Sequence, residues 1–212
     1  RRFDPDFQAL RAAIDAGQIG DVEMVTLTSR DPAAPPIDYI KRSGGIFRDM
    51  TIHDFDVARW MLGEEVATVY AAASNLVDLA IGAAGDFDSV NVVLTTATGK
   101  QCTITNSRRA TYGYDQRIEV HGSKGSVSAE NHHAARIVVA NEQGYIRPPL
   151  LDFFMSRYTA AYAGEIAAFV AAIEAGESTP TTGHDGLMAL ALAEASMKSV
   201  AERRAVRVSE VL

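Results

Sequence analysis

Ser89-Val-Asn-Val-Val-Leu-Thr-Thr-Ala-Thr-Gly-Lys-Gln-Cys-Thr-Ile-Thr-Asn-Ser107 is the stretch that decides the fold class. Apolar and polar residues alternate on either side of Thr98-Gly99-Lys100. Val90, Val92 and Leu94 therefore fall on one face of a strand, and Asn91, Val93 and Thr95 on the other. Cys102 and Ile104 oppose Thr103 and Thr105 in the same way. So short a connection between two period-two runs predicts an antiparallel hairpin. Its apolar face needs helices to cover it, while its other face is rich in Thr and poor in charge.

Outward from this hairpin the same period recurs at residues 66–73, 116–121, 126–129 and 137–140, each bounded by Gly, Asn, Asp or Lys, which makes about six strands after Gly63. The Gly122–Gly125 corner resembles half a phosphate loop, but it joins strand to strand and reads as a second hairpin. Consecutive strands are then most simply antiparallel. One earlier strand is predicted from Val22, Met24, Val25 and Leu27 with Thr26 and Thr28; it ends where Asp31-Pro32 and Pro35-Pro36 block pairing, so residues 31–43 read as a loop. Asp4-Pro5 ahead of Phe7, Leu10, Ala13 and Ile14 predicts a short helix stopped at Gly17. A second helix is expected from Gly44-Gly45 to Gly63. Two more close the chain: 152–175, with Tyr158, Tyr162, Ile166, Phe169 and Ile173 on one face, and 185–203, with Leu187, Leu190 and Met197. Segregated strands and helices predict an α+β fold, a large and mostly antiparallel sheet with helices on one face.

Composition bounds the function. The chain has 212 residues, 47% hydrophobic and 22% charged, which is an ordinary globular mix with no apolar run long enough for a bilayer span. A net charge of −7 argues against nucleic acid and anionic lipid as partners. Cys102 has no second cysteine to pair with, which fits a reducing compartment and a cytoplasmic protein. The chain opens on Arg1 rather than Met, and we expect a preceding segment that holds part of an active site.

Gly44-Gly-Ile-Phe-Arg-Asp-Met-Thr-Ile-His-Asp-Phe-Asp56 carries the densest chemistry. On an α-helix Asp49, His53 and Asp56 stand at i, i+4 and i+7, within an arc of about 60°. A carboxylate beside an imidazole fixes its tautomer, as a general base near neutral pH requires, and the pair could take a proton from a substrate hydroxyl. Two other readings stay open: a solvated ion network, and a metal site built on Asp49, His53 and Asp56. The two glycines allow close approach of a ligand or another backbone. Tyr112, in Tyr112-Gly-Tyr-Asp115, could project its phenol from a sheet end toward a polyol or simply pack on the sheet. Tyr158 and Tyr162, one helical turn apart, read as core or core-edge residues. No Gly-x-Gly-x-x-Gly or P-loop sequence occurs.

Arg1-Arg-Phe-Asp-Pro-Asp-Phe7, the Gly44–Gly63 stretch and Tyr112-Gly-Tyr-Asp-Gln-Arg-Ile-Glu-Val-His-Gly-Ser-Lys-Gly125 resemble, over nearly the whole chain, the C-terminal domain of the glucose-fructose oxidoreductase/inositol dehydrogenase/rhizopine catabolism family. The resemblance implies an N-terminal Rossmann domain, absent from this chain, with residues 1–212 as the substrate-binding and oligomerisation domain. It implies oxidation of a ring hydroxyl of myo-inositol or a related polyol to a ketone, with NAD or NADP bound mainly by the missing domain. His53 would be the general base and Asp49 its partner, while Asp56, Tyr112 and Tyr158 would touch substrate hydroxyls. A Lys of the Rossmann domain would complete the site, so the isolated chain is expected to be inactive. The family further implies a homodimer or homotetramer, which we place through the Thr-rich open sheet face. A non-catalytic sugar-binding or assembly module is the alternative.

Overall fold

The computed structural model describes residues 1–212. Helix α1 (Pro5–Asp15) starts where Asp4 accepts hydrogen bonds from the Asp6 and Phe7 amides, and strand β1 (Val22–Arg30) follows. Helix α2 (Ile37–Ser43) comes next. A π-helical turn over Phe47–Thr51 leads into α3 (Ile52–Leu62). Then come β2 (Val66–Ser74), α4 (Leu79–Ala83), β3 (Ser89–Thr96), β4 (Gln101–Ser107), β5 (Asp115–Gly122) and β6 (Gly125–Ala129). A small ribbon, β7 (Val139–Asn141) with β8 (Gly144–Ile146), precedes α5 (Phe154–Arg157), α6 (Thr159–Ala175), α7 (Gly183–Glu202) and β9 (Val206–Arg207).

The main sheet has seven strands in the order β6-β5-β1-β4-β3-β2-β9. Both sequence-predicted hairpins form, with Thr95 opposite Gln101 and Gly122 opposite Gly125. Antiparallel pairing of consecutive strands fails after β6, since β7 pairs only with β8 in the separate ribbon, and where β1 is inserted. β1 lies between β4 and β5, parallel to β4 with Ser29 opposite Asn106, and antiparallel to β5. The chain from Ser107 to Asp115 must therefore cross the end of β1 instead of turning back beside β4.

Val90, Val92, Leu94, Cys102 and Ile104 are buried as the alternation predicts, joined by Val25, Leu27, Val69, Ile118 and Val120 from the neighbouring strands. Phe55, Ala58, Met61 and Leu62 of α3, and Leu192, Ala193 and Ala195 of α7, cover that face.

Three helical expectations need correction. Residues 31–43 are not all loop, because Pro35-Pro36 leads straight into α2 and a proline is well tolerated where a helix begins. The helix expected over 152–175 breaks at Tyr158, whose backbone (φ −109°, ψ 19°) is not helical. The helix after Gly44-Gly45 opens with the π turn, whose wider hydrogen-bond spacing alters the rotation per residue before α3 begins. Gly44 and Gly45 have φ of 90° and 87°, which only glycine adopts without strain. A Cβ on Gly45 would also lie 2.9 Å from Asp86 Oδ1, so the close approach foreseen there is made by a side chain of the protein itself.

Leu192 is 0% exposed at the centre of the helical layer. We expect Leu192→Ala to lower unfolding free energy by about 2–5 kcal/mol in a denaturant titration, the usual cost of a buried cavity of this size.

Candidate active site

Four elements converge at the C-terminal ends of the parallel pair β1 and β4. β1 delivers Ser29, Arg30 and, just past its end, Asp31. The crossover after β4 delivers Arg108 and Tyr112; the π turn and α3 deliver Asp49, Thr51, His53 and Asp54, and α2 delivers Tyr39. Asp31 N–H donates to the Ser107 carbonyl at 3.0 Å, tying the two strand ends together.

Beneath the site lies a buried polar chain. Thr51 Oγ1 donates to Asn106 Oδ1 at 2.7 Å, and Asn106 Nδ2 donates to Asp54 Oδ2 at 2.7 Å. Ser29 Oγ donates to the other Asp54 oxygen, also at 2.7 Å. Burial pushes the Asp54 carboxyl pKa above its ordinary value, against the opposing pull of the Ser29 and Asn106 hydrogen bonds. The chain pins the first turn of α3 to both parallel strands, which holds His53, next along the helix, in place.

Asp49 has other partners than the sequence suggested. Tyr39 Oη donates to its Oδ1 at 2.5 Å, and the Arg108 guanidinium donates to its Oδ2 at 3.1 Å. No direct hydrogen bond joins Asp49 to His53; the carboxylate is held by Tyr39 and Arg108 instead. Arg108 is almost wholly buried and also faces Asp86 Oδ2 at 3.5 Å, while Asp86 Oδ1 accepts the Ile46 amide at 2.9 Å. One guanidinium thus links the carboxylate of the π turn to the segment that begins it.

His53 is exposed in the first turn of α3. Desolvation by the surrounding protein, followed by the positive charge of Arg1, lowers the imidazole pKa, so the ring is neutral at physiological pH. A neutral imidazole open to solvent can accept a proton. Nothing in the sequence pattern singled out Asp31. Burial raises its carboxyl pKa to about 6, against the pull of Arg108 and with Asp49 and Asp54 adding repulsion. The shared electrostatics of Asp31, Asp49, Asp54, Arg1 and Arg108 mark them as one cluster. The signal that could have found Asp31 is its place directly after a buried strand, where loop side chains meet substrates in α/β proteins.

Two expected substrate contacts are turned elsewhere. Asp56 is held by Arg2 through two hydrogen bonds of 2.8 and 2.6 Å, and Arg2 continues to Asp185 at 2.9 Å, so Asp56 braces α3 against the start of α7. The π turn removes the uniform 100° rotation on which the single-face trio depended. No group of three or more His, Cys, Asp or Glu stands close enough to hold a metal ion, and the metal reading of Asp49, His53 and Asp56 falls with that geometry. Tyr158 is 1% exposed, donates to Gln116 Oε1 at 3.2 Å and stacks beneath the Arg1 guanidinium at 3.9 Å, so its hydroxyl is closed off from a ligand here. Tyr112 is half exposed at the sheet end as foreseen, donating to Asp115 Oδ2 at 2.6 Å and accepting from Arg30 at 3.0 Å.

Residues 7–128 match the family described as GFO/IDH/MocA C-terminal domain. The chain is 66% identical over 209 residues to inositol 2-dehydrogenase of Rhizobium meliloti strain 1021, covering 99% of this chain and 63% of that protein. It is 50% identical over 212 residues to myo-inositol 2-dehydrogenase of Thermotoga maritima, covering 100% of this chain and 64% of that protein. The crystal structure of scyllo-inositol dehydrogenase from Lactobacillus casei with bound NAD(H) and scyllo-inositol superposes with a TM-score of 0.89 at 30% identity, covering 99% of this chain and 63% of that one. The chain therefore spans a little under two thirds of the length of these relatives.

Replacing Arg108 by Met leaves Asp49 and Asp86 without their shared cation. We expect a loss of about 3–5 kcal/mol in denaturant unfolding, against about 1 kcal/mol for Tyr39→Phe, which removes one exposed hydrogen bond. Equal losses for the two variants would mean that Arg108 does not organise the carboxylates.

Proposed function

The chain belongs to the GFO/IDH/MocA family, and from that membership we propose that it is the substrate-binding half of an NAD-dependent inositol dehydrogenase that oxidises a ring hydroxyl of myo-inositol or a close relative to the ketone. The observation that carries this reading is 66% identity to an inositol 2-dehydrogenase across 99% of the chain, with an exposed, neutral His53 beside a carboxylate cluster. When bound, the nicotinamide cofactor supplies the hydride acceptor. The residues present do not form its cradle: no glycine-rich turn here carries a strand end into the first turn of a long helix. We place NAD or NADP on a preceding dinucleotide-binding domain, and the 212-residue chain alone should not turn over.

Within this chain the roles divide by charge state. The neutral His53 imidazole takes the proton of the reacting hydroxyl as its carbon is oxidised. Asp31, which has no side-chain hydrogen bond of its own, is left to accept from the other ring hydroxyls, and the Tyr112 hydroxyl, its proton given to Asp115, can add an acceptor there. Arg108 and Tyr39 hold the Asp49 side chain in place by hydrogen bonds. A compact polyol is the substrate class that matches several carboxylate and hydroxyl groups around one imidazole. No helix is long and apolar enough to cross a membrane, and we place the enzyme in the cytoplasm.

In the full-length enzyme, His53→Ala should lower kcat for inositol oxidation on the order of 10²- to 10⁴-fold, the usual worth of a general base. The base works deprotonated, so activity falls as pH drops through the imidazole pKa. Because that pKa is lowered, the acid limb of kcat/KM should lie below the ordinary His value of roughly 6.5. A limb above neutrality, or a variant within about twofold of wild type, would place the base elsewhere.

We further propose that the outer face of the sheet is the contact between copies. Over β1, β2, β3 and β4 it exposes Met24, Tyr70 and Val93 among Thr95, Thr103 and Thr105, a stretch low in charge beside Arg117 and Glu119 of β5, and two such faces would stack about 10 Å apart in a symmetric dimer that can pair again into a tetramer. Tyr70→Lys with Val93→Lys should shift the sedimentation coefficient toward the monomer. An unchanged oligomer would locate the contact on another face.

A further inference from the structure

Helix α2 stands apart from the main core. It is seven residues long, buries only Ile40, and rests on α4, where the buried Ile81, like Ile40, lies outside the core formed by the sheet, α3 and α7. So short a helix has little stability of its own, and its ends fix its position. Pro35-Pro36 stiffens the entry, while Gly44 and Gly45, both at positive φ, turn the exit into the π turn. Tyr39 is thereby placed beside the acidic cluster, within electrostatic reach of Asp49, Arg108 and Asp31. Its side chain is 47% exposed and takes no part in the core.

The Tyr39 hydroxyl has one proton to donate, and it goes to Asp49 Oδ1 at 2.5 Å. That hydrogen bond raises the phenol pKa, so the proton stays on the tyrosine. No other group of the protein bonds to Tyr39 Oη, whose lone pairs are left as acceptors. Arg108 holds the other Asp49 oxygen, so the tyrosine is not the only tether of that carboxylate. We infer that Tyr39 is a substrate-binding residue of the polyol site, accepting a hydrogen bond from a ring hydroxyl other than the one oxidised; the inference rests on the proposed dehydrogenase reading. With its proton committed to Asp49, Tyr39 can only accept, as can the Asp31 carboxylate. Both demand a donor from the ligand, which a free hydroxyl supplies and a deoxy carbon or a methyl ether does not. The site would thus select polyols whose neighbouring hydroxyls are all free.

Steady-state kinetics of the full-length enzyme and its Tyr39→Phe variant test this, with myo-inositol and with a set of monodeoxy-inositols that each lack one hydroxyl other than the reacting one. We expect the variant to lose on the order of 10-fold in kcat/KM for myo-inositol, through KM, with kcat changed by less than about twofold. One monodeoxy compound should lose a similar factor with the wild type and nothing further with the variant, because the hydrogen bond is already gone. If every compound loses the same factor in both proteins, the inference is overturned. A variant whose kcat falls while KM holds would overturn it too, since Tyr39 would then act only through Asp49, and so would an unchanged kcat/KM. Stabilisation of each protein against heat by myo-inositol, with the reduced cofactor present, is read on the same samples. A wild type that is stabilised without turning over, with a smaller effect in the variant, supports the Tyr39 contact and counts against the dehydrogenase reading alone. Equal stabilisation of the two proteins overturns the contact, and a wild type neither stabilised nor turning over overturns both.

Discussion

β1 is hydrogen-bonded along both edges, to β4 in parallel and to β5 in antiparallel register, and the rest of the structure is arranged around that double ladder. A strand inserted there cannot be joined to β4 by a hairpin, because a parallel pair needs a long crossover. The chain supplies it with α2, the π turn, α3, β2 and β3, which places α3 over the apolar face. The same insertion forces residues 108–114 over the end of β1. Arg108, Tyr112, Arg30 and Asp31 therefore meet at one place although they come from distant parts of the sequence.

Charge then organises that place. Arg108, buried with few alternatives, draws Asp49 and Asp86 to itself and closes the glycine corner onto Asp86. A buried guanidinium with a carboxylate on either side fixes the Asp49 side chain in place. Asp31 and Asp54 are raised by burial, and they differ in use: Asp54 spends both oxygens on Ser29 and Asn106 beneath α3, whereas the Asp31 carboxyl is free. On the far side of α3, Arg2 joins Asp56 to Asp185 and so locks α3 to α7.

The α+β class, both hairpins and the identity of the buried face were legible in the sequence, since a two-residue period needs only local chemistry to be read. The exposed positions of His53 and Tyr112 agree with their expected places, on a helix after the glycine pair and at a sheet end. The family resemblance agrees with the family matched by residues 7–128. Tertiary structure alone decided the rest. Where β1 inserts is a choice among strand partners that periodicity does not rank, so Arg108 and Asp31 could not be placed at the site beforehand. The π turn shifts the rotation of a helix without altering its apolar spacing, so the expected alignment of Asp49, His53 and Asp56 gave way to separate partners, Arg108 for one and Arg2 for the other. Tyr158 shows the same limit: its hydrogen bond to Gln116, 42 residues away along the chain, exists only once β5 and the start of α6 are packed together.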